Sequence, residues 1–462
     1  MSELTYKSAA ELAEMIRAGT VSSTEVISAH IARIEAVNPK LNAVAQLLAD
    51  SARAAAADAD VALAKGEAVG PLHGVPFTVK DAIQINGVIS SGGTLGRKDY
   101  VAKEDAVVIT RMRGAGAILL ANTNVPELCL AGETDSLVYG RTNNPFDTAR
   151  TPGGSSGGEA AIIAAGGSPL GLGSDVGGSI RQPAHYCGIA GIKPTTGRVP
   201  TTGHWPALDG LLGSLFQIGP MARTVEDLAL TLPIIAGPAW RDPYAAPVPL
   251  GSPSAVDISA LRIATFTDNG AAQADADTVA AVAAAAKVLA DAGAVVEADA
   301  PSAIGRGTDL FIAIFRADAG AGVRGLLKES GTTELHPLMR SVLELQGDSP
   351  LSAADFGSLL AELDQWRGEM LSFMEGYDAI LCPNTISAAV PHGGFSTDHW
   401  PGASTTYQFN LTGWPGAVVR AGQSGGLPIG VQVVARPWQE DVALALAKHI
   451  ETALGGWRPP TL

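Results

Sequence analysis

Serine and glycine recur at two places where their types and spacing suit acyl chemistry. One is Gly153-Gly154-Ser155-Ser156-Gly157-Gly158 and the other is Gly177-Gly178-Ser179, with Ser155 and Ser179 24 residues apart. Glycine lacks a Cβ, so such runs reach positive φ and bring backbone N–H groups close to a ligand. Successive N–H groups in such a turn form an anion-binding concavity. Its guest is either a phosphate or the oxyanion of an acyl-transfer intermediate. Neither Gly-x-x-x-x-Gly-Lys-Ser/Thr nor a helix-opening Gly-x-Gly-x-x-Gly is present, which disfavours phosphate. Two overlapping Gly-x-Ser-x-Gly matches, centred on Ser155 and Ser156, also fit a nucleophile elbow, for which His336, His392 and His399 stand downstream. The reading without chemistry is a pair of glycine-rich surface loops.

Lys80 is the third residue of interest. It follows Val75, Phe77 and Val79, whose alternation with Pro76 and Thr78 predicts a short strand ending at the lysine. Such a lysine either snorkels or pairs with Asp81, or it is desolvated enough to act as a base near neutral pH.

These residues need elements to hold them. Ser8 and the Ser22-Ser23-Thr24-Glu25 run signal helix starts, and Pro39 is expected to restart the chain after a helix that ends near Val37. A helix after the first serine cluster follows from Glu159 and the alanines and isoleucines behind it. Residues 170–174 read as a strand ending in Asp175, just before the second cluster. Both clusters thus fall at ends of regular elements, where the binding residues of α/β proteins collect. Further on, 261–266, 275–292 and 294–298 predict a β-helix-β unit, and 307–377 is mostly helical.

Composition narrows the function. The 462 residues include 46% hydrophobic and 17% charged, which is globular, and the net charge of −15 disfavours nucleic acid and anionic membrane as partners. Cys129, Cys187 and Cys382 fit neither a disulfide framework nor a zinc site, and the eight histidines lack metal-ligand spacing. No metal is expected. No signal peptide or membrane span is recognisable, so a cytoplasmic protein is expected.

Lys80 within GVPFTVKD, Ser155 within PGGSSGGEAA and Ser179 within SDVGGSIRQPAHYCGIAGIKPT together resemble the amidase signature family. GPMARTVEDLAL, NLTGWPGAVV and GLPIGVQVVAR extend the resemblance over nearly the whole chain. It implies one large α/β/α domain around a mixed, mostly parallel twisted sheet. Residues 1–65 would pack on the core as a helical segment, 66–240 would carry the catalytic residues, 241–260 would link, and 261–462 would complete the domain. It also implies a Ser-Ser-Lys triad, with Ser179 the nucleophile, Ser155 a bridging serine on a cis peptide after Gly154, and Lys80 the base. N–H groups of Val176, Gly177, Gly178 and Ser179 would form the oxyanion hole, supported by Gly154, Ser156 and an Asp175–Arg181 pair, while Cys187 would be a core residue.

The activity so implied is hydrolysis of the C–N bond of aryl or alkyl amides, with carbamates and esters presenting the same carbonyl, and it needs no cofactor. The partner is a small-molecule amide or carbamate, and both monomer and homodimer stay open. Two alternatives remain: a glutaminase subunit of a glutamine-dependent amidotransferase, and a catalytically silent binding protein of the same fold. Substrate choice is expected in the loops 201–216, 302–348 and 387–406, with Trp205, Leu208, Leu211, Leu212 and Phe216 as an apolar pocket or as plain loop packing.

Overall fold

Capping boxes begin the first two long helices, as the sequence indicates. Ser8 and Glu11 exchange hydrogen bonds at the start of Ala9–Arg17, and Ser22 and Glu25 do so before Ser23–Leu41. The computed structural model describes residues 3–207, 210–394 and 404–462. Pro39 does not restart the chain: it sits inside Ser23–Leu41, which stops only at the left-handed Asn42. Asn38 Oδ1 accepts from the Ala43 and Val44 N–H groups at 2.8 Å each and secures that stop.

Among the described residues, eleven strands form one sheet. They are β1 (Val44–Leu47), β2 (Pro76–Lys80), β3 (Ile118–Thr123), β4 (Leu170–Asp175), β5 (Ala190–Lys193), β6 (Gln217–Ala222), β7 (Arg262–Thr265), β8 (Val295–Ala298), β9 (Ala379–Pro383), β10 (Gly416–Ser424) and β11 (Leu427–Ala435). Their order is β1-β3-β2-β4-β6-β5-β10-β11-β9-β7-β8, so strands from both halves of the chain share the sheet.

The sheet is mixed, but the expected predominance of parallel pairs is corrected. β2 runs parallel to β3 and β4, and β7 to β8 and β9, whereas the other neighbours are antiparallel. Connection length explains part of this. β7 and β8 are joined through the helix Ala276–Asp291, long enough for a crossover, while Gly425 and Gly426, both at positive φ, turn β10 directly into β11.

Side chains alternate between two buried faces, as a pleated strand requires. In β10, Ala417 and Val419 join one core while Val418 joins the other; in β3, Leu119 joins the first while Ile118 and Leu120 join the second. Helices Ala9–Arg17, Val225–Ile235 and Glu440–Leu454 cover the first face, and Ser23–Leu41 and Gly157–Ala164 cover the second. A third cluster joins Arg306–Arg316, Ala353–Phe373 and Ser404–Leu411. This is an α/β/α arrangement. Among the described residues no helix is long and apolar enough to cross a membrane.

Candidate active site

The two-residue period of β2 decides where Lys80 points. Phe77 and Val79 enter the first core, which leaves Thr78 and Lys80 for the opposite face, against the helix Gly157–Ala164. There Lys80 is fully buried, with Nζ 2.6 Å from Ser155 Oγ, 2.9 Å from Ser174 Oγ and 3.5 Å from Ser174 O. Burial pushes the amine below its ordinary value of 10.5, against the opposing pull of Cys129, Asp175 and Glu159. In the first turn of the helix, the buried Glu159 carboxyl takes hydrogen bonds from Thr78 Oγ1 and, at 2.9 Å, from Thr123 Oγ1, and burial pushes it up to about 8.

The first serine cluster leads into that helix. The Gly154–Ser155 peptide bond is cis, and Gly153 has φ +86°. A Cβ at Gly154 would stand 2.5 Å from Ala131 O, so only glycine fits. Gly154 N–H donates to Gln182 Oε1 at 3.3 Å, and Gly157 N–H to Thr134 Oγ1 at 3.1 Å. Ser156 ties the two clusters together: its N–H donates to Ser179 O at 3.2 Å and its hydroxyl to Ser174 O at 3.3 Å.

The second cluster is wrapped around the Asp175 carboxylate at the end of β4. Asp175 accepts from Gly178 N–H at 2.7 Å, Ile180 N–H at 3.1 Å, Asn410 Nδ2 at 3.0 Å, and Arg181 Nη2 and Nε at 2.9 and 3.0 Å. Burial opposes its ionisation, but the Arg181 guanidinium outweighs that and holds the carboxyl well below the usual range. Arg181 itself is buried, and it also donates to Thr406 O, Gln432 Oε1 and Asn410 Oδ1. Gly178 N–H points at the Asp175 carboxylate. Among the described residues none accepts from the N–H groups of Val176, Gly177 or Ser179.

Ser155, Ser174, Ser179 and His204 line one small cavity, in which Ser155 and Ser179 make no direct hydrogen bond with each other. A larger cavity opens beside Ser179. Leu130, Val176, Leu212, Phe311, Phe315 and Tyr407 form its apolar wall, and Phe311 and Tyr407 stack with centroids 4.2 Å apart and planes 2° from parallel. Gly177, Ser179 and Gln182 form its polar end.

The expected pocket residues separate. Leu212 lines the large cavity, Phe216 is buried edge-on against His204 at 4.6 Å, and Trp205 lies under the Arg97 guanidinium at 4.0 Å, outside the large cavity's lining. Leu208, the Leu211 side chain and His399 fall outside the described residues. His336 caps its own helix, Pro337–Gln346, and His392 bonds Thr148 O, so neither serves Ser155 or Ser156 as an elbow partner. Cys187 is buried with its thiol beside Pro152 O. Sequence reasoning missed Ser174, His204, Cys129 and the Phe311, Phe315 and Tyr407 wall. Only Ser174, adjoining Asp175 at a strand end, carried a local signal.

Comparison with known proteins agrees with this geometry. The family model described as Amidase matches residues 25–444. An indoleacetamide hydrolase of Bradyrhizobium diazoefficiens is 35% identical, the alignment covering 97% of this chain and 86% of that protein. A glutamyl-tRNA(Gln) amidotransferase subunit of Roseiflexus sp. is 36% identical over 94% and 93%. The solved structure of a bacterial aryl acylamidase of the amidase signature family superposes with a TM-score of 0.87 at 29% identity, covering 97% of this chain and 96% of that one. A buried lysine meeting the first of two glycine-flanked serines, a family match over residues 25–444 and a shared fold place this chain in the amidase signature family, as an amide hydrolase.

Proposed function

We propose that Ser179 attacks the carbonyl carbon of an apolar carboxylic amide, with Lys80 as base and Ser155 as the proton bridge. The observation that carries this reading is the 2.6 Å contact between Lys80 Nζ and Ser155 Oγ, made where Lys80 is 0% and Ser155 1% exposed. Neutral Lys80 takes the proton of Ser155, Ser155 takes that of Ser179, and Ser179 Oγ bonds to the carbonyl carbon. Charge gathering on the carbonyl oxygen is met by the N–H groups of Val176, Gly177 and Ser179, each such donor being worth about 3 kcal/mol. The proton returns through Ser155 to the substrate nitrogen, the C–N bond breaks and the amine departs. The ester left on Ser179 is then hydrolysed by water, whose proton follows the same route.

The cavity wall supports aryl and alkyl amides as the substrate class, and carbamates and esters offer the same electrophilic carbon. The relatives' activities on indoleacetamide and aryl acylamides point the same way. The likeness to amidotransferase subunits makes glutamine the competing substrate. Its α-ammonium and α-carboxylate need charged partners, and none of the described residues lining the large cavity is charged.

The test is hydrolysis of aryl acetamides, p-nitroanilides, aryl carbamates and glutamine by the purified protein, with peptide mapping after fluorophosphonate treatment. Turnover of the aromatic substrates and an adduct on Ser179 are expected. Turnover of glutamine alone would replace the substrate reading, and an adduct on Ser155 or Ser156 would replace the nucleophile.

A further inference from the structure

The Lys80 contact continues through two more side chains to a backbone carbonyl. Ser174 Oγ is 2.9 Å from Lys80 Nζ and 3.0 Å from His204 Nε2, and His204 Nδ1 is 2.9 Å from Pro206 O. A carbonyl only accepts, so in the neutral ring Nδ1 carries the proton and Nε2 presents a lone pair. The Ser174 hydroxyl therefore donates to Nε2. It then has no proton left for Lys80, and faces that amine with lone pairs alone. Lys80 must donate one of its N–H bonds to Ser174, which leaves its own lone pair to Ser155.

The ring is held where this requires. Trp205 N–H donates to Ala82 O at 2.6 Å and Gln84 N–H to Gly203 O at 2.8 Å, which fastens the His204 segment to the chain just after Lys80. Phe216 packs edge-on against the imidazole, and burial beside Lys80 pushes its pKa down to about 3.

We propose that His204 is a positioning residue for the base: by holding the proton of Ser174, it turns the lone pair of Lys80 toward Ser155. The proposal rests on Lys80 being the base. Without the imidazole, the Ser174 hydroxyl can turn its proton onto the Lys80 lone pair and compete with Ser155 for it.

The test is a double-substitution cycle on the second-order rate of fluorophosphonate labelling at Ser179, with thermal unfolding of each variant. His204→Phe is expected to slow labelling about tenfold, whereas His204→Gln, which keeps an acceptor near the Nε2 position, recovers most of the rate. In a Ser174→Ala background the same His204→Phe change is expected to cost less than about threefold, since no hydroxyl proton remains to misdirect. Equal losses with and without the Ser174 hydroxyl, or no recovery in a folded His204→Gln variant, overturn the proposal. Labelling of Lys80→Met at the parent rate would overturn the base assignment beneath it instead.

Discussion

Lys80 Nζ meets Ser155 Oγ at 2.6 Å across 75 residues of chain, and among the described residues no carboxylate comes within ion-pair distance of that amine. A buried ammonium without a counter-charge is costly, so burial shifts Lys80 toward the neutral amine, which is the form a base must start from. The acids that pull the other way are each occupied. Asp175 is bound by Arg181, and Glu159 is bonded to Thr78 and Thr123 and pushed up by burial toward its neutral form.

The pH profile of hydrolysis follows. As the proposed base, Lys80 would act only when unprotonated, and its folded-state pKa is depressed below 10.5. Measured as kcat/KM, activity is expected to climb with pH through that depressed value to a plateau and to be lost as pH falls through it. Lys80→Met is expected to lower kcat/KM by about 10²–10⁴-fold, the usual share of general base catalysis, and to abolish this limb.

Asp175 and Arg181 form a pair with both side chains at 0% exposure. Asp175→Ala leaves a guanidinium buried without its counter-charge and frees the Gly178 and Ile180 N–H groups, and it is expected to cost about 3–5 kcal/mol in denaturant unfolding. The parent chain gains stability from Asp175 above its unfolded value of 3.8, because the folded pKa is depressed, and loses it as pH falls below that. The variant's acid unfolding is expected to lack this contribution.

Glu159 works in the opposite sense. Its folded pKa of about 8 exceeds the ordinary value of 4.5, so between these values the folded chain holds a proton that the unfolded chain releases. Stability is therefore expected to fall as pH rises through that window, by up to about 1.4 kcal/mol per pH unit from this one group. Glu159→Gln keeps the shape without the titration, so urea unfolding of this variant at several pH values is expected to show a flatter slope and a gain in stability at about pH 8.

Much of this protein is written locally in its sequence. The capping boxes at Ser8 and Ser22 fix helix starts because a cap and its partner lie three residues apart. The alternation before Lys80 sets a strand, and the glycines around Ser155 and Ser179 mark turns where a Cβ would collide or φ is positive. Those short-range signals, together with the likeness to a known family, carried the choice of Lys80, Ser155 and Ser179.

Tertiary structure decided what depends on contacts between distant segments. The balance of parallel and antiparallel pairing came from how eleven strands were ordered, which no strand's own pattern encodes. Gly178 N–H found an acceptor because the Asp175 carboxylate turns back onto it. Phe311 and Tyr407 became one cavity wall because the helices Arg306–Arg316 and Ser404–Leu411 pack together, and His204 reached Ser174 because its segment is fastened beside the end of β2. Periodicity and spacing report on neighbours within a few residues, whereas the partner of a buried polar group is settled only when packing leaves it one acceptor in reach.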